Sequence, residues 1–375
     1  MRDVEAISCE LFINPDREWL AEAWKGLETK ANENIFLSWL WISSWLDTFV
    51  GDFILVEARA NNGIVGLGIL IKQTSLLDNC TQHGNSYLHR MGDESKDQIW
   101  IEYNDFLMDK TSATQIRECM ASKVFHTIKQ RESFIVGASF VNDFDTIHKI
   151  GVLQRVTWRT TAYGLDLSVF NGDVDAFTMS LSRSSRYQIK RSIQRYEALG
   201  ELKVETALTV SKAMEFFDMA KPYHISRWGS SKGGSGFINT DFVGFHSTLI
   251  ERGIQHKNVQ IHRLSVNETT IAIIYNLETD TQVYFYLSAI NYTMDDSHLK
   301  PGLVSHYLLI KKAIEEGKMT YDFMGGAARY KSTFANQQSD LAVFKYQHPH
   351  FLLTAENFSR KLKRHVQSKS SYDYS

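Results

Sequence analysis

A chain of 375 residues is long enough for two domains of ordinary size, each able to bury its own core. Hydrophobic residues at 43% and a formal net charge of -2 exclude a disordered chain and a protein with a global bias toward nucleic acid, so no DNA partner is expected.

The chain starts Met1, Arg2, Asp3, Val4, Glu5, without the apolar run of a secretory signal. Cys9, Cys80 and Cys119 are odd in number, far apart and outside any C-x-x-C spacing, which argues against a disulfide framework and a zinc site. A reducing cytoplasm is therefore the expected location, and the Asn-x-Thr triplets at Asn79, Asn267 and Asn291 carry no expectation of glycosylation. The longest apolar stretch, 35–49, is too short to span a bilayer and contains Ser38, Ser43, Ser44 and Asp47. Trp39, Trp41 and Trp45 within it suit a core helix, with contact at a membrane surface as the alternative.

Further along, strands over 53–57 and 66–72 read as a hairpin across Asn61, Asn62 and Gly63. A strand over 99–108, a helix over 112–131 and a strand over 134–137 follow. Within the strand, alternation places Glu102, Asn104 and Phe106 on one face and Ile101, Tyr103 and Asp105 on the other, so the two acids cannot share a cleft.

A helix over 180–200 comes next, with Ser182 as its cap and Gly200 as its stop. Ile189, Ile193 and Tyr196 mark its buried side, while Arg183, Arg186 and Lys190 align on another face. A solvated basic face explains that alignment, and so does a seat for an anionic group such as a diphosphate. In 223–228, His224 and Arg227 share a helix face, and Trp228 precedes a glycine-rich loop over 229–236.

The order of elements then repeats. Strands over 259–266 and 271–277 pair across 267–270, a strand runs over 283–290, a helix starts at Lys300, Pro301 and Gly302, and a strand over 321–323 leads to Met324, Gly325 and Gly326. In the helix, Leu303, Tyr307, Ile310 and Ile314 form one apolar stripe. Proline at a helix start presets φ and lacks only an N–H that would go unpaired, and the glycine beside it admits a ligand to the backbone, so this start can hold a phosphate. An ordinary β-α-β crossover accounts for the same spacing. Each copy predicts a mixed sheet flanked by helices, and two such sheets side by side would leave a cleft between them. The predicted division is 1–165, 166–355 with the cofactor site, and a basic, disordered tail over 356–375.

Three stretches carry a family resemblance. Ser182, Arg183, Ser184, Ser185, Arg186, Tyr187, Gln188, Ile189, Lys190 and Arg191 form one, and Lys300, Pro301 and Gly302 another. The third runs Tyr321, Asp322, Phe323, Met324, Gly325, Gly326 and on to Tyr330, Lys331, Ser332, Thr333 and Phe334. With these the chain resembles the GNAT superfamily in its tandem form, the CelD-like acetyltransferases associated with exopolysaccharide synthesis and, more distantly, the FemAB aminoacyltransferases. The resemblance implies an α/β fold with mixed sheets, two tandem GNAT-like domains with a cleft between them, and acetyl-CoA or another acyl-CoA as co-substrate, without a metal. It also implies that Lys331 lies at the reacting carbonyl and that Arg186 holds substrate phosphate. Two features depart from the family: no long coiled-coil arm of the kind carried by some tRNA-using members, and a glycine-rich phosphate loop reduced to Pro301 and Gly302.

Acyl transfer from a thioester to an amine needs a base, alignment and a donor at the carbonyl oxygen. Lys331 and the backbone near Ser288 and Ala289 are the candidate donors, Glu102 the candidate base with His224 as its competitor, Asp322 the residue that holds the Lys331 loop, and Tyr330 the acid to the departing thiolate. Arg186, Lys190, Arg227, Trp228 and Asp105 are the candidate substrate contacts. The expected reaction is direct N-acylation of a small-molecule acceptor, a sugar, free or nucleotide-linked, or another small amine, in polysaccharide or cell-envelope synthesis. The alternatives are a FemAB-like transferase using aminoacyl-tRNA and a non-catalytic module of a polysaccharide-synthesis assembly.

Overall fold

The computed structural model describes residues 6–349 apart from 62, 74–83, 145–146, 148–150, 232 and 295, so the predicted tail over 356–375 lies outside the described residues. The first half runs β1 (Ser8–Ile13), α1 (Arg17–Glu28), α2 (Trp39–Phe49), β2 (Ile54–Ala60), β3 (Gly63–Gln73), β4 (Gly84–Leu88), β5 (Leu107–Met108), α3 (Ala113–Thr127), β6 (Glu132–Phe140), α4 (Val141–Phe144) and β7 (Leu153–Asp166). The second runs α5 (Val174–Ser180), α6 (Arg183–Leu199), β8 (Leu202–Thr206), α7 (Val210–Trp228), α8 (Thr240–Gly253), β9 (Val259–Val266), β10 (Thr269–Glu278), β11 (Gln282–Ile290), α9 (Pro301–Glu315), β12 (Thr320–Gly325), α10 (Arg329–Phe334) and β13 (Gln337–Gln347).

Local chemistry sets the helix starts. Asp16 accepts the N–H of Trp19 at the head of α1, Ser38 that of Trp41 at α2, and Ser182 that of Ser185 at α6, while Gly200 ends α6 and Pro301 opens α9.

The duplication is deeper than the sequence pattern suggests. Each half reads strand, two helices, three antiparallel strands, a crossover helix and a parallel strand, and each then gives its last strand to the other half. β7 pairs with β12, β13 pairs with β6, and β7 and β13 pair with each other, so the order β1-β2-β3-β4-β6-β13-β7-β12-β11-β10-β9-β8 is one continuous sheet. The expectation of two separate sheets is corrected by this exchange. The cavities lie instead where strands diverge and loops of the two halves meet.

One face of the sheet carries α1, α2, α7 and α8 in a common core, in which Trp41 of the first half meets Phe245 of the second edge-on at 4.8 Å. Trp41 and Trp45 are fully buried there, which settles the 35–49 segment as a core helix rather than a membrane-surface one. Burying large side chains of this kind stabilises a fold by about 1.5–3 kcal/mol each. The other face carries two separate cores, one under α3 and one under α6 and α9. The stripe foreseen on α9 buries Ile310 and Ile314 fully and leaves Leu303 and Tyr307 packed at the edge.

Two further expectations fail. The strand foreseen over 99–108 is an irregular loop with left-handed Trp100 and Tyr103, ending in the two-residue β5, and the third strand of the first half is β4. The loop alternates polar and apolar residues as a strand would, but all of 101–106 except Asp105 are buried, and it fills the gap where β4 and β6 part. Asn104 Nδ2 donates to Leu88 O (2.8 Å) and Gly137 O (3.3 Å), and the Asn104 N–H donates to Ala138 O (2.9 Å). Secondly, Cys9 of β1 and Cys119 of α3 are disulfide-bonded, with Cα atoms 6.5 Å apart, against the cysteine reading. Their 110-residue separation hid the pairing. Among the described residues no helix is long and apolar enough to cross a membrane.

Candidate active site

The parallel ladder between β11 and β12 extends only from Gln282 and Thr320 to Tyr284 and Asp322. Beyond it β12 bulges, with Met324 left-handed and Gly325 resuming its pairing with Ala162 of β7. The strands part, and the wedge between them is a cavity of about 340 Å³. The equivalent gap in the first half is plugged by Asn104, so the duplicated fold keeps one open wedge.

Ser288 of β11, Tyr330 and Lys331 of α10, His224 and Trp228 of α7, and Trp100 and Glu102 from the first-half loop all line this cavity. Glu102 is 3% exposed. Its Oε1 accepts the Trp100 indole N–H (2.9 Å) and its Oε2 the N–H of Gly325 (2.8 Å). Gly325 has no room for a side chain: a Cβ there would stand 2.8 Å from Glu102 Oε1 and 2.8 Å from Thr160 Cγ2. Gly326 answers a different need, a φ of +103°.

Lys331 is 7% exposed and donates from Nζ to the carbonyls of Met324 (3.2 Å) and Gly325 (2.5 Å). Burial lowers its pKa to about 8, against the pull of Glu102 and Asp322. Burial also raises Glu102, opposed by its two hydrogen bonds and by Lys331. Asp322 rises to about 7, again through burial, opposed by hydrogen bonds from the Tyr103 hydroxyl and the Met324 N–H. These three groups form one coupled set of charges.

His224 shares a 2.8 Å hydrogen bond between Nδ1 and Ser235 Oγ, and burial lowers it to about 4, so it is neutral and weakly basic at pH 7. Tyr330 stacks on His306 with ring centres 4.8 Å apart and planes 7° off parallel. Burial drives its phenol pKa up, keeping the proton on oxygen.

Tyr330 also lines a second cavity, of about 790 Å³, at the start of α9. Lys300, Pro301 and Gly302 form its wall together with Ser182, Ser184 and Ser185 from the start of α6 and with Arg329. No side chain caps α9, and a Cβ at Gly302 would meet nothing within 4 Å. An uncapped helix start of this kind turns its free N–H groups and positive dipole end to any anion.

The remaining candidates stand elsewhere. Ala289 is buried opposite Ile273 on the β10 side and does not reach the wedge. Arg186 Nη1 donates to the carbonyls of Met179 (2.7 Å) and Leu181 (2.9 Å), closing the end of α5, and Lys190 is exposed on α6. Arg227 is exposed, its guanidinium 5.8 Å from the Trp228 ring centre and 6.0 Å from that of Tyr292. Asp105 pairs with Arg117 at 2.6 Å and lines a separate cavity of about 370 Å³, whose wall also includes Asp322. Trp100, Gln98, Tyr286 and Phe242 line the wedge unforeseen. Trp100 adjoins Glu102, but its place depends on a left-handed backbone that is a genuine outlier for a bulky residue, and the sequence carries no mark of it. Among the described residues no group of three or more His, Cys, Asp or Glu side chains could hold a metal ion.

Residues 183–332 match the profile of the acetyltransferase (GNAT) domain family. No curated protein sequence matches the chain. Among solved structures it is similar to FemX, at 12% identity over 90% of this chain and 96% of that one, with a TM-score of 0.60. It is similar also to a conserved protein of unknown function from Bacteroides thetaiotaomicron (9% identity, 91% and 100% covered, TM-score 0.53). A third is the C-terminal domain of a putative lysylphosphatidylglycerol synthetase from Agrobacterium fabrum (9% identity, 89% and 93% covered, TM-score 0.52). These likenesses are of fold, and with the internal duplication they make this a tandem GNAT fold of the FemX type.

Proposed function

From the premise that residues 183–332 are a GNAT domain within a tandem GNAT fold, we propose that the protein is an acyl-CoA-dependent N-acyltransferase, moving an acyl group to an amine in a ternary complex. The observation that carries this reading is that two cavities share Tyr330 in their walls, one at the uncapped start of α9 and the other at buried Lys331. The first suits a diphosphate and the second a reacting carbonyl. A thioester bound across them would supply an activated carbonyl carbon.

The chain's own groups have distinct tasks. The Lys331 ammonium, protonated at pH 7, offsets negative charge on the carbonyl oxygen. Glu102 takes the proton that the attacking amine gives up, since burial strengthens it as a base while burial weakens His224. The Tyr330 hydroxyl protonates the departing thiolate as the C–N bond forms and the C–S bond breaks. Among the described residues no cysteine lines either cavity, which favours direct transfer. Asp322 is a positioning residue, accepting the Met324 N–H at 2.6 Å and so holding the bulge that aims Gly325 at Glu102. The stretches that resemble CelD-like and FemAB proteins support an acceptor from polysaccharide or envelope synthesis.

Titration calorimetry with CoA and acetyl-CoA tests the donor. Binding in a 1:1 ratio, weakened by added salt, supports the reading. Indifference to every acyl-CoA together with activity dependent on aminoacyl-tRNA would replace it.

A further inference from the structure

Three cavities are linked by shared wall residues, and the two that hold Trp100 lie where the halves meet. The reaction cavity meets the coenzyme-sized one at Tyr330 and meets another, of about 750 Å³, at Gln98 and Trp100. At about 340 Å³ it is less than half the size of either neighbour, so it has space for reacting ends rather than for substrate bodies. With a donor entering past Gly302, a second substrate has the Trp100 side as its approach.

We infer that this third cavity seats the acceptor, and that the acceptor is an amine on a neutral, hydroxyl-rich body, an amino sugar without phosphate. The inference rests on the acyl-transfer reading of the neighbouring wedge. It follows from the chemistry of the wall. Ser95, Thr240, Gln98 and Asn239 line the cavity beside Trp100 and a 40% exposed Ile238, so its polar side chains are uncharged hydroxyls and amides as well as carboxylates. Among the described residues the one cation on the wall is Arg90, and it already pairs with Asp97 at 3.3 Å. The same Asp97 carboxylate accepts the N–H groups of Met91 (2.7 Å) and Gly92 (2.9 Å), and Glu94 adds a further negative charge. A phosphate there would give up water for carboxylates and, among the described residues, meet only the paired Arg90, whereas sugar hydroxyls can both donate and accept.

The wall is assembled before any ligand arrives. Asn239 Nδ2 donates to Ser95 O and Gln98 Oε1, both at 2.8 Å, Ser95 Oγ donates to Asp241 Oδ2 (3.0 Å), and Gln98 Nε2 donates to Gly234 O (3.2 Å). Loops from the two halves are thereby tied across the junction, which lowers the ordering cost of binding. The Trp100 plane is set by its indole bond to Glu102 and by edge-on contact with Trp158 at 5.0 Å. An apolar sugar face laid on that ring would be presented to the carboxylate that serves as base.

Saturation-transfer NMR on the full chain tests this, with methyl β-glucosaminide, UDP and an alanyl dipeptide as probes and CoA calorimetry run in parallel. Transfer to the glucosaminide ring protons is expected, at least fivefold weaker in Thr240→Trp, which fills the cavity, with circular dichroism and a thermal melt as the check of folding. Should that variant not fold, Ile238→Asp at an exposed position should weaken transfer in the same way. CoA binding with no glucosaminide signal, with a signal untouched by a folded variant, or with UDP or the dipeptide preferred overturns this inference alone. A variant-sensitive glucosaminide signal without CoA binding supports the seat and overturns the donor reading.

Discussion

Replacing Gly325 by alanine isolates the contact on which the proposed centre is built. The backbone of Gly325 is not left-handed, so alanine brings no φ strain, and its whole effect comes from the added methyl group. That group would stand 2.8 Å from Glu102 Oε1, 2.8 Å from Thr160 Cγ2 and 3.4 Å from Glu102 Cδ, so the carboxylate or β7 must move. Overpacking a tight site costs about 1–3 kcal/mol. Losing the charge-assisted bond from the Gly325 N–H adds roughly 1.5–3 kcal/mol if Glu102 swings away. A combined loss of about 2–4 kcal/mol is expected, because partial movement relieves one term as it incurs the other. Moving Glu102 also removes a group that supports the Lys331 charge, so the lysine should titrate below its present value of about 8. Urea unfolding measures the first effect, and a pH profile of kcat/KM the second, its alkaline limb moving to lower pH. Wild-type stability within 0.5 kcal/mol and an unmoved alkaline limb would refute the assignment of Glu102 to this contact.

Further outcomes follow from the same geometry. Lys331→Ala should cut kcat about 10²–10³-fold with little change in KM, the size seen when one donor to a developing oxyanion is lost, as steady-state kinetics would show. Asp322→Asn should stabilise the protein most above pH about 7 and progressively less toward pH 4: the folded-state pKa is raised, so the wild-type carboxyl favours folding only while protonated, and thermal melts across that range read the trend. Gly302→Asp has open space for its side chain and places an anion in the first turn of α9, so it should raise stability by about 0.3–1 kcal/mol while weakening CoA binding in calorimetry. Arg186→Ala should lower stability by roughly 1–2 kcal/mol, because two carbonyls at the end of α5 lose their donor, and a melt compared with CoA affinity separates that effect from loss of a phosphate contact.

The second half was legible because its signals are local. Pro301 at a helix start, Gly325 and Gly326 after a strand, and Lys331 five and six residues further on all act within one turn or bulge, and the fold brings the residues around Lys331 to one cavity. The first half obscured its third strand because residues 101–106 alternate polar and apolar like a strand, while the structure buries both sets in a plug without strand geometry. Exchange of β7 and β13 leaves no trace in periodicity, since backbone ladder bonds do not depend on which half supplies the neighbouring edge. The Cys9 and Cys119 pair and the contact of Glu102 with Gly325 depend on residues 110 and 223 positions apart, beyond the reach of spacing rules. Arg186 looked like a phosphate ligand because its charge is visible in sequence and its carbonyl partners are not.

A crystal structure of the complex with acetyl-CoA would bear most directly on the central claim. The account predicts the diphosphate at the N–H groups of Gly302 and Leu303 and the thioester oxygen within hydrogen-bonding reach of Lys331 Nζ. A coenzyme bound away from α9, or a thioester remote from Lys331, would contradict it.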